Sequence, residues 1–182
     1  MSVMNFISHG TQDMYPTYLQ RQLHYDVNTT ALVSAISMCG AIVGGLIIGH
    51  LSERYGRRRS MIVAALLAIC VIPLWVFAPT AALVMVGAFM MQFMVQGAWG
   101  VIPAHINELS PPLVRGFFPG FAYQIGVLIA SSIGYIEALL GEHFTYAAAM
   151  GGLAATVFLL GSIVIWAGPE AKGVSFVKSS TT

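Results

Sequence analysis

The chain has 182 residues, of which 57% are hydrophobic and only 8% are charged, and its formal net charge is +1. A soluble domain carries about 25% charged residues, so this composition excludes an ordinary water-soluble fold. The near-neutral charge, without a basic patch, gives no sign of a nucleic-acid partner. Cys39 and Cys70 lie far apart inside apolar runs, which is typical of small buried hydrophobes and not of a metal or redox site.

The membrane spans follow from the apolar stretches. A helix needs about 20 predominantly apolar residues to cross a bilayer. Five stretches meet this requirement, at 29–51, 60–78, 81–104, 117–140 and 144–167. The opening segment is a sixth span, although only residues 1–7 are plainly apolar, so we expect the chain to begin inside a helix. The sequence predicts an all-α polytopic membrane protein with a six-helix domain over 1–168 and a cytoplasmic tail over 169–182.

The basic residues predict the orientation. Threading six spans alternately through the membrane leaves only Arg21 on one side. Seven residues fall on the other side: Arg54, Arg57, Arg58, Arg59, Arg115, Lys172 and Lys178. Because Lys and Arg are retained in the cytoplasm, we expect that side and the C-terminus to be cytoplasmic, in the inner (plasma) membrane.

The opening span differs from the others because it carries polar side chains. At about 100° per residue, Ser8, His9, Gln12 and Asp13 fall on the same side of a helix as Asn5; we call these five residues the polar stripe. Ionisable groups at membrane depth usually face a bundle interior or an aqueous cavity, and histidine exchanges a proton near neutral pH. The stripe therefore predicts a binding site, and simple hydrogen bonding to neighbouring helices is the alternative.

A break is expected just after this stripe. Pro16 has no N–H, so the carbonyl of Gln12 loses its helical partner. A loosened helix at membrane depth is tolerated where it lines a cavity.

The stripe belongs to a longer motif, N-x-x-[S/T]-H-x-[S/T]-Q-D-x-x-x-T. It resembles the seventh-helix signature of proton-coupled carboxylate permeases in the sialate/lactate symporter branch of the major facilitator superfamily. The resemblance implies that the motif residues bind substrate or protons: Asn5, Ser8, His9, Thr11, Gln12, Asp13 and Thr17.

Two further stretches are similar to cytoplasmic loops of the superfamily. The first resembles G-x-L-x-D-R-x-G-R-R, with Glu53 in place of the usual Asp; it contains Gly49, Glu53, Arg54, Gly56, Arg57 and Arg58. The second resembles E-x-x-P-x-x-x-R-G and contains Glu108, Arg115 and Gly116. The resemblance implies that the first loop is a conformational latch whose acid and arginines pair with helix ends. A generic positive-inside loop is the alternative, although it does not explain the glycine spacing. For His105 and Glu108, as for His50 and Glu53, we expect pairing with nearby arginines and no metal site.

The span at 117–140, which is fifth in chain order when the opening segment is counted first, resembles the family's eleventh helix. The resemblance implies that Gln124 faces the cavity and contacts substrate, although Gln124 joining neighbouring helices is an alternative. Fungal lactate permeases tend to have Asn three residues later, where this chain has Val127, so the substrate stays open. Glu137 lies near the outer end of this span, where placement at the membrane interface is favoured over a proton relay.

Together the resemblance implies the C-terminal half, helices seven to twelve, of a twelve-helix carrier built from 3+3 inverted repeats. The implied function is proton-coupled symport of a small carboxylate by alternating access. Lactate or pyruvate is favoured as the substrate over sialic acid or another organic anion. The chain is then no enzyme and needs no cofactor or metal. Its partners are the anion, the proton, lipid, and either an N-terminal six-helix half or a second copy. The alternatives are a truncated half without activity alone, or a sugar or drug carrier.

Overall fold

A computed structural model describes residues 1–111 and 113–170, apart from the side chain of Glu142. Lys172, Lys178 and most of the predicted tail lie outside these residues. The described part of the chain forms eight helices: α1 (Ser2–Gln12), α2 (Tyr15–Arg21), α3 (Val27–Tyr55), α4 (Arg57–Val76), α5 (Ala81–Leu109), α6 (Phe118–Ala130), α7 (Ile133–His143) and α8 (Tyr146–Ala167).

Five segments are long and apolar enough to cross a membrane: Val27–Tyr55, Arg57–Val76, Ala81–Leu109, Phe118–Gly141 and Tyr146–Ala167. They coincide with the five predicted spans and confirm an all-α, multi-pass architecture. Large apolar side chains such as Leu46 and Leu128 are 70% and 74% exposed, which suits a surface solvated by lipid.

Side-chain caps fix where three of the long helices begin. The Asp26 carboxylate accepts hydrogen bonds from the backbone N–H groups of Asn28 and Thr29 at the start of α3. Thr80 and Thr145 cap α5 and α8 in the same way. Such caps satisfy backbone donors that have no partner within the helix.

Two of the predicted spans are each divided into two short helices. The opening segment, which is not among the five apolar spans, is split between α1 and α2, with Pro16 in the first turn of α2, which confirms the predicted break. The fifth span is split at Ser131 and Ser132, whose hydroxyls donate to the carbonyls of Leu128 and Ile129. The sequence predicts no break at that point. Because α1 packs against α6 and α7, the two divided spans are neighbours.

The long helix α5 is the centre of the bundle, since it packs against α3 and α4 and also contacts α1. The approach of α3 is close because Gly40 and Gly44 lie against the backbone carbonyls of Phe89 and Phe93. Small residues permit such backbone contact between membrane helices.

The segment around α2 is fixed to α4 by aromatic contacts. Tyr15 stacks on Trp75 with ring centroids 5.2 Å apart, and the Tyr18 hydroxyl donates to the Val76 carbonyl at 2.7 Å. Tyr18 and Trp75 are both 1% exposed. This anchor fixes the position of α2 and limits how α1 can turn.

Replacing Gly44 with Ala should destabilise the bundle by about 1 to 3 kcal/mol, because the new methyl group overlaps the Phe93 backbone. Thermal unfolding of the purified protein in mild detergent measures this. Gly49→Ala is the matched control on the same helix, since a methyl group there meets nothing within 4 Å. Equal midpoints for the two variants would contradict the packing.

Candidate functional site

The polar stripe centres on the hydrogen-bonded pair of His9 and Asp13. The Nδ1 atom of His9 lies 3.1 Å from Oδ2 of Asp13, one helical turn away. The two side chains are 39% and 47% exposed, so the pair lies on an open surface of the bundle. An imidazole held by a carboxylate can take up a proton and keep the resulting charge balanced.

The rest of the stripe is held by α5. Gln12 donates its amide hydrogens to Ser8 Oγ and to Gln92 Oε1, each at 3.2 Å. Gln92 in turn donates to the Thr11 carbonyl at 3.4 Å, and Gln96 donates to Ser8 Oγ at 3.1 Å. These contacts join α1 to α5 and leave His9 and Asp13 on the open side.

Other motif residues lie elsewhere. The Asn5 side chain is 1% exposed and lies against Gly126 of α6; neither of its amide atoms has a hydrogen-bond partner among the described residues. The Thr11 hydroxyl donates to the Ile7 carbonyl of its own helix. Thr17 is on α2, beyond the break, and Gln124 is exposed on α6. The structure therefore brings together Ser8, His9, Gln12 and Asp13, and their functional roles stay predictions.

The two loop motifs meet at one end of the bundle. Arg57 forms an ion pair with Glu108 at 3.1 Å, with side chains 15% and 7% exposed, and also donates to Ser52 Oγ at 2.8 Å. Arg58 donates to the Gly168 carbonyl after α8. The pairing of Arg57 and Arg58 with other helix ends is as predicted, and so is the contact between Glu108 and an arginine.

The segment after α8 also caps α4. The Glu170 carboxylate accepts hydrogen bonds from the backbone N–H groups of Arg57 and Arg58, at 3.1 and 3.4 Å. A negative charge is favoured at a helix N-terminus. Arg115 donates to the Ser110 carbonyl. Within the first motif Glu53 and Arg54 are exposed and Gly49 is half-buried, whereas Gly116 of the second motif is exposed.

The profile of the Major Facilitator Superfamily matches residues 1–180. The chain belongs to this superfamily. A "Carboxylic acid transporter protein homolog" of Saccharomyces cerevisiae is 30% identical over 180 residues, 91% of this chain and 29% of the yeast protein. A "Putative metabolite transport protein" of Haemophilus influenzae is 27% identical over 94% of the chain and 42% of its own length. The "H(+)/hexose cotransporter 2" of Parachlorella kessleri is 24% identical over 85% of the chain and 28% of its own length.

This major facilitator chain therefore spans less than half the length of these relatives. All three are named as transporters, and none as an enzyme. Membership in the superfamily and the apolar helices show a multi-pass membrane protein of a transporter family.

Two residues of the candidate site, Gln92 and Gln96, are not predicted from the sequence. Gln92 and Gln96 lie four residues apart in an otherwise apolar part of α5, so they face the same side of that helix. This spacing is the signal that could have found them. Gln92 is 3% exposed, and a glutamine this deep in a membrane helix requires a polar partner.

The predicted interfacial placement of Glu137 is wrong. Its side chain is 1% exposed, because α7 turns it inward against Gly10 of α1. The prediction takes residues 117–140 as one continuous helix, whereas the break at Ser131 and Ser132 separates α7, which carries Glu137, from α6.

A double-mutant cycle can measure the contact between α1 and α5. Replacing Gln12 and Gln92 with Ala, singly and together, should give a coupling energy of about 1 kcal/mol, the size of interhelical polar contacts in membranes. The readout is the free energy of unfolding in mixed micelles. The control cycle pairs Gln12 with the exposed Gln124 and should show no coupling. Equal coupling energies in the two cycles would contradict the assigned hydrogen bond.

Proposed function

We propose that this chain forms the C-terminal six-helix half of a proton-coupled symporter for a small carboxylate, of the lactate or pyruvate type. The half-exposed His9–Asp13 pair, on a face of α1 braced by α5, is the observation that carries the proposal. The yeast relative named for carboxylic acid transport supports the substrate class.

The chemistry of the pair suits anion and proton co-transport. Because Nδ1 of His9 faces Asp13, Nε2 is the ring atom that can donate to a substrate carboxylate. Uptake of a proton makes the imidazole cationic, so the pair becomes neutral and the anion meets less repulsion from Asp13. Loss of that proton reverses the effect, so anion and proton bind together and leave together.

Transport also needs a second wall to the cavity. In the proposed carrier the six spans form two inverted repeats of three, and the substrate lies near the membrane midplane between two halves. The open face of α1 is then covered by an N-terminal half or a second copy, which also supplies any arginine that binds the carboxylate. Rocking of the halves exposes the site alternately, with the C-terminus in the cytoplasm and the carrier in the plasma (inner) membrane.

A sugar is the second candidate substrate, because the hexose cotransporter is also similar to this chain. The His9–Asp13 pair favours the anion, since a neutral sugar needs no group that balances its charge. Sialic acid and other organic anions remain within the proposed class. The chain covers less than half the length of its relatives, which is also compatible with a half that transports nothing unless it is joined to a partner.

The test is a chimera in which this chain replaces the stretch of the yeast relative that it matches. Labelled lactate uptake into proteoliposomes should be saturable and should rise with an inward proton gradient. His9→Ala should abolish the gradient-dependent part, because the imidazole that takes up the proton is gone. His143→Ala, at an exposed position at the end of α7, is the matched control and should leave uptake unchanged.

Gradient-dependent lactate uptake that survives His9→Ala would remove His9 from the mechanism. Uptake of a labelled hexose in place of lactate would support the second candidate. The chain reconstituted without the rest of the yeast protein shows whether a half alone is active.

A further inference from the structure

A second carboxyl group lies beside α1, outside the motif. Glu137 is on α7 with its side chain 1% exposed, and neither Oε1 nor Oε2 has a hydrogen-bond partner among the described residues. A buried carboxyl group without partners is unusual, because nearly all buried polar groups are hydrogen-bonded. Such groups inside membrane helices mark ion or proton pathways more often than structural contacts.

Gly10 makes room for this carboxyl group. A methyl group at Gly10 would lie 3.8 Å from Glu137 Oε1 and 3.0 Å from Ile133 Cδ1. Glu137 therefore lies against the α1 backbone at Gly10, the residue that follows His9 in the chain. The small cavity beside Gly10 is lined mainly by apolar side chains, including Ile133 and Phe158. Its one hydroxyl, that of Thr11, donates to carbonyls of its own helix.

The charge nearest along α1 is that of Asp13. Asp13 is the C-cap of α1, three residues after Gly10, so the two positions lie on the same side of the helix, and a negative charge there repels one on Glu137. His9 acts on Glu137 through its contact with Asp13. The helix α8, which also packs against α7, has Tyr146 as its only titratable residue. Within α7, the other titratable residues are Tyr135, Glu142 and His143.

Burial and repulsion both favour the protonated form. An ionised carboxylate taken out of water costs several kcal/mol unless it is paired, and Glu137 is unpaired among the described residues. A second negative charge near the ionised Asp13 adds to this cost. When the His9–Asp13 pair takes up a proton, the repulsion falls, and ionisation of Glu137 becomes less costly.

We propose that Glu137 is a second proton-binding group of the site, coupled by charge to the His9–Asp13 pair. Glu137 keeps its proton while Asp13 is ionised and releases it more readily once the pair is protonated. The coupling is thermodynamic, so it needs no hydrogen bond between the two carboxyl groups. The assignment of this proton to transport rests on the proposed function, whereas the protonation state itself does not.

Infrared difference spectroscopy of the purified chain in lipid nanodiscs tests the inference without substrate. At pH 7 the C=O stretching band of a protonated carboxyl group should be present, and it should be missing in Glu137→Gln. Glu53→Gln, at an exposed position, is the matched control and should keep the band. In Asp13→Asn the pH at which the band disappears should fall by about one unit, because the repelling charge is gone.

A band that is unchanged in Glu137→Gln would overturn the proposal, since Glu137 would then be ionised at pH 7. An unchanged titration in Asp13→Asn would overturn the coupling. Glu137→Asp keeps a carboxyl group and should restore a band if the Gln variant folds poorly. Because no substrate is present, a chimera that fails to take up lactate would refute the proposed function and would leave this result unaffected.

Discussion

The hydrogen bonds from Gln92 and Gln96 to α1 determine which side of that helix is exposed. Inside a bilayer a polar side chain must find a protein partner or water. The two glutamines supply partners for Gln12, Ser8 and the Thr11 carbonyl, and the rest of the stripe then faces outward. Without that contact, α1 would be free to turn about its axis and to bury the His9–Asp13 pair.

Two groups of charged or titratable side chains stand out in the described part of the chain. Where the two loop motifs meet, Arg57, Glu108 and Glu170 join the start of α4 to the end of α5 and to the segment after α8, whereas the titratable pair of α1 lies on the open face. The bundle between them is mainly apolar, apart from a few buried polar groups, and is joined by close helix contacts such as those at Gly44. This arrangement agrees with the proposal that the chain forms one half of a carrier.

The sequence predicts the fold well and the site in part. Apolar length alone identifies five spans, and Pro16 identifies the first break, because each depends on local chemistry. The break at Ser131 is missed because serine is tolerated inside membrane helices. The burial of Asn5 and Glu137 is missed because it depends on how α1 packs against α6 and α7, which helical periodicity does not contain. Helical periodicity does predict that Gln92 and Gln96 face the same side of α5, because they are four residues apart. A search for known motifs alone does not detect this pair.

The central claim is that the open face of α1 lines the substrate cavity, and cysteine labelling tests it most directly. His9→Cys would be introduced into a cysteine-free form of the chimera, with Cys39 and Cys70 replaced by Ala. A membrane-impermeant maleimide should label it, because a substrate cavity is open to water whereas a lipid-facing position is not. Ile7→Cys, at a position 3% exposed, should not react. Labelling of Ile7→Cys in preference to His9→Cys, or no labelling of His9→Cys, would contradict the account.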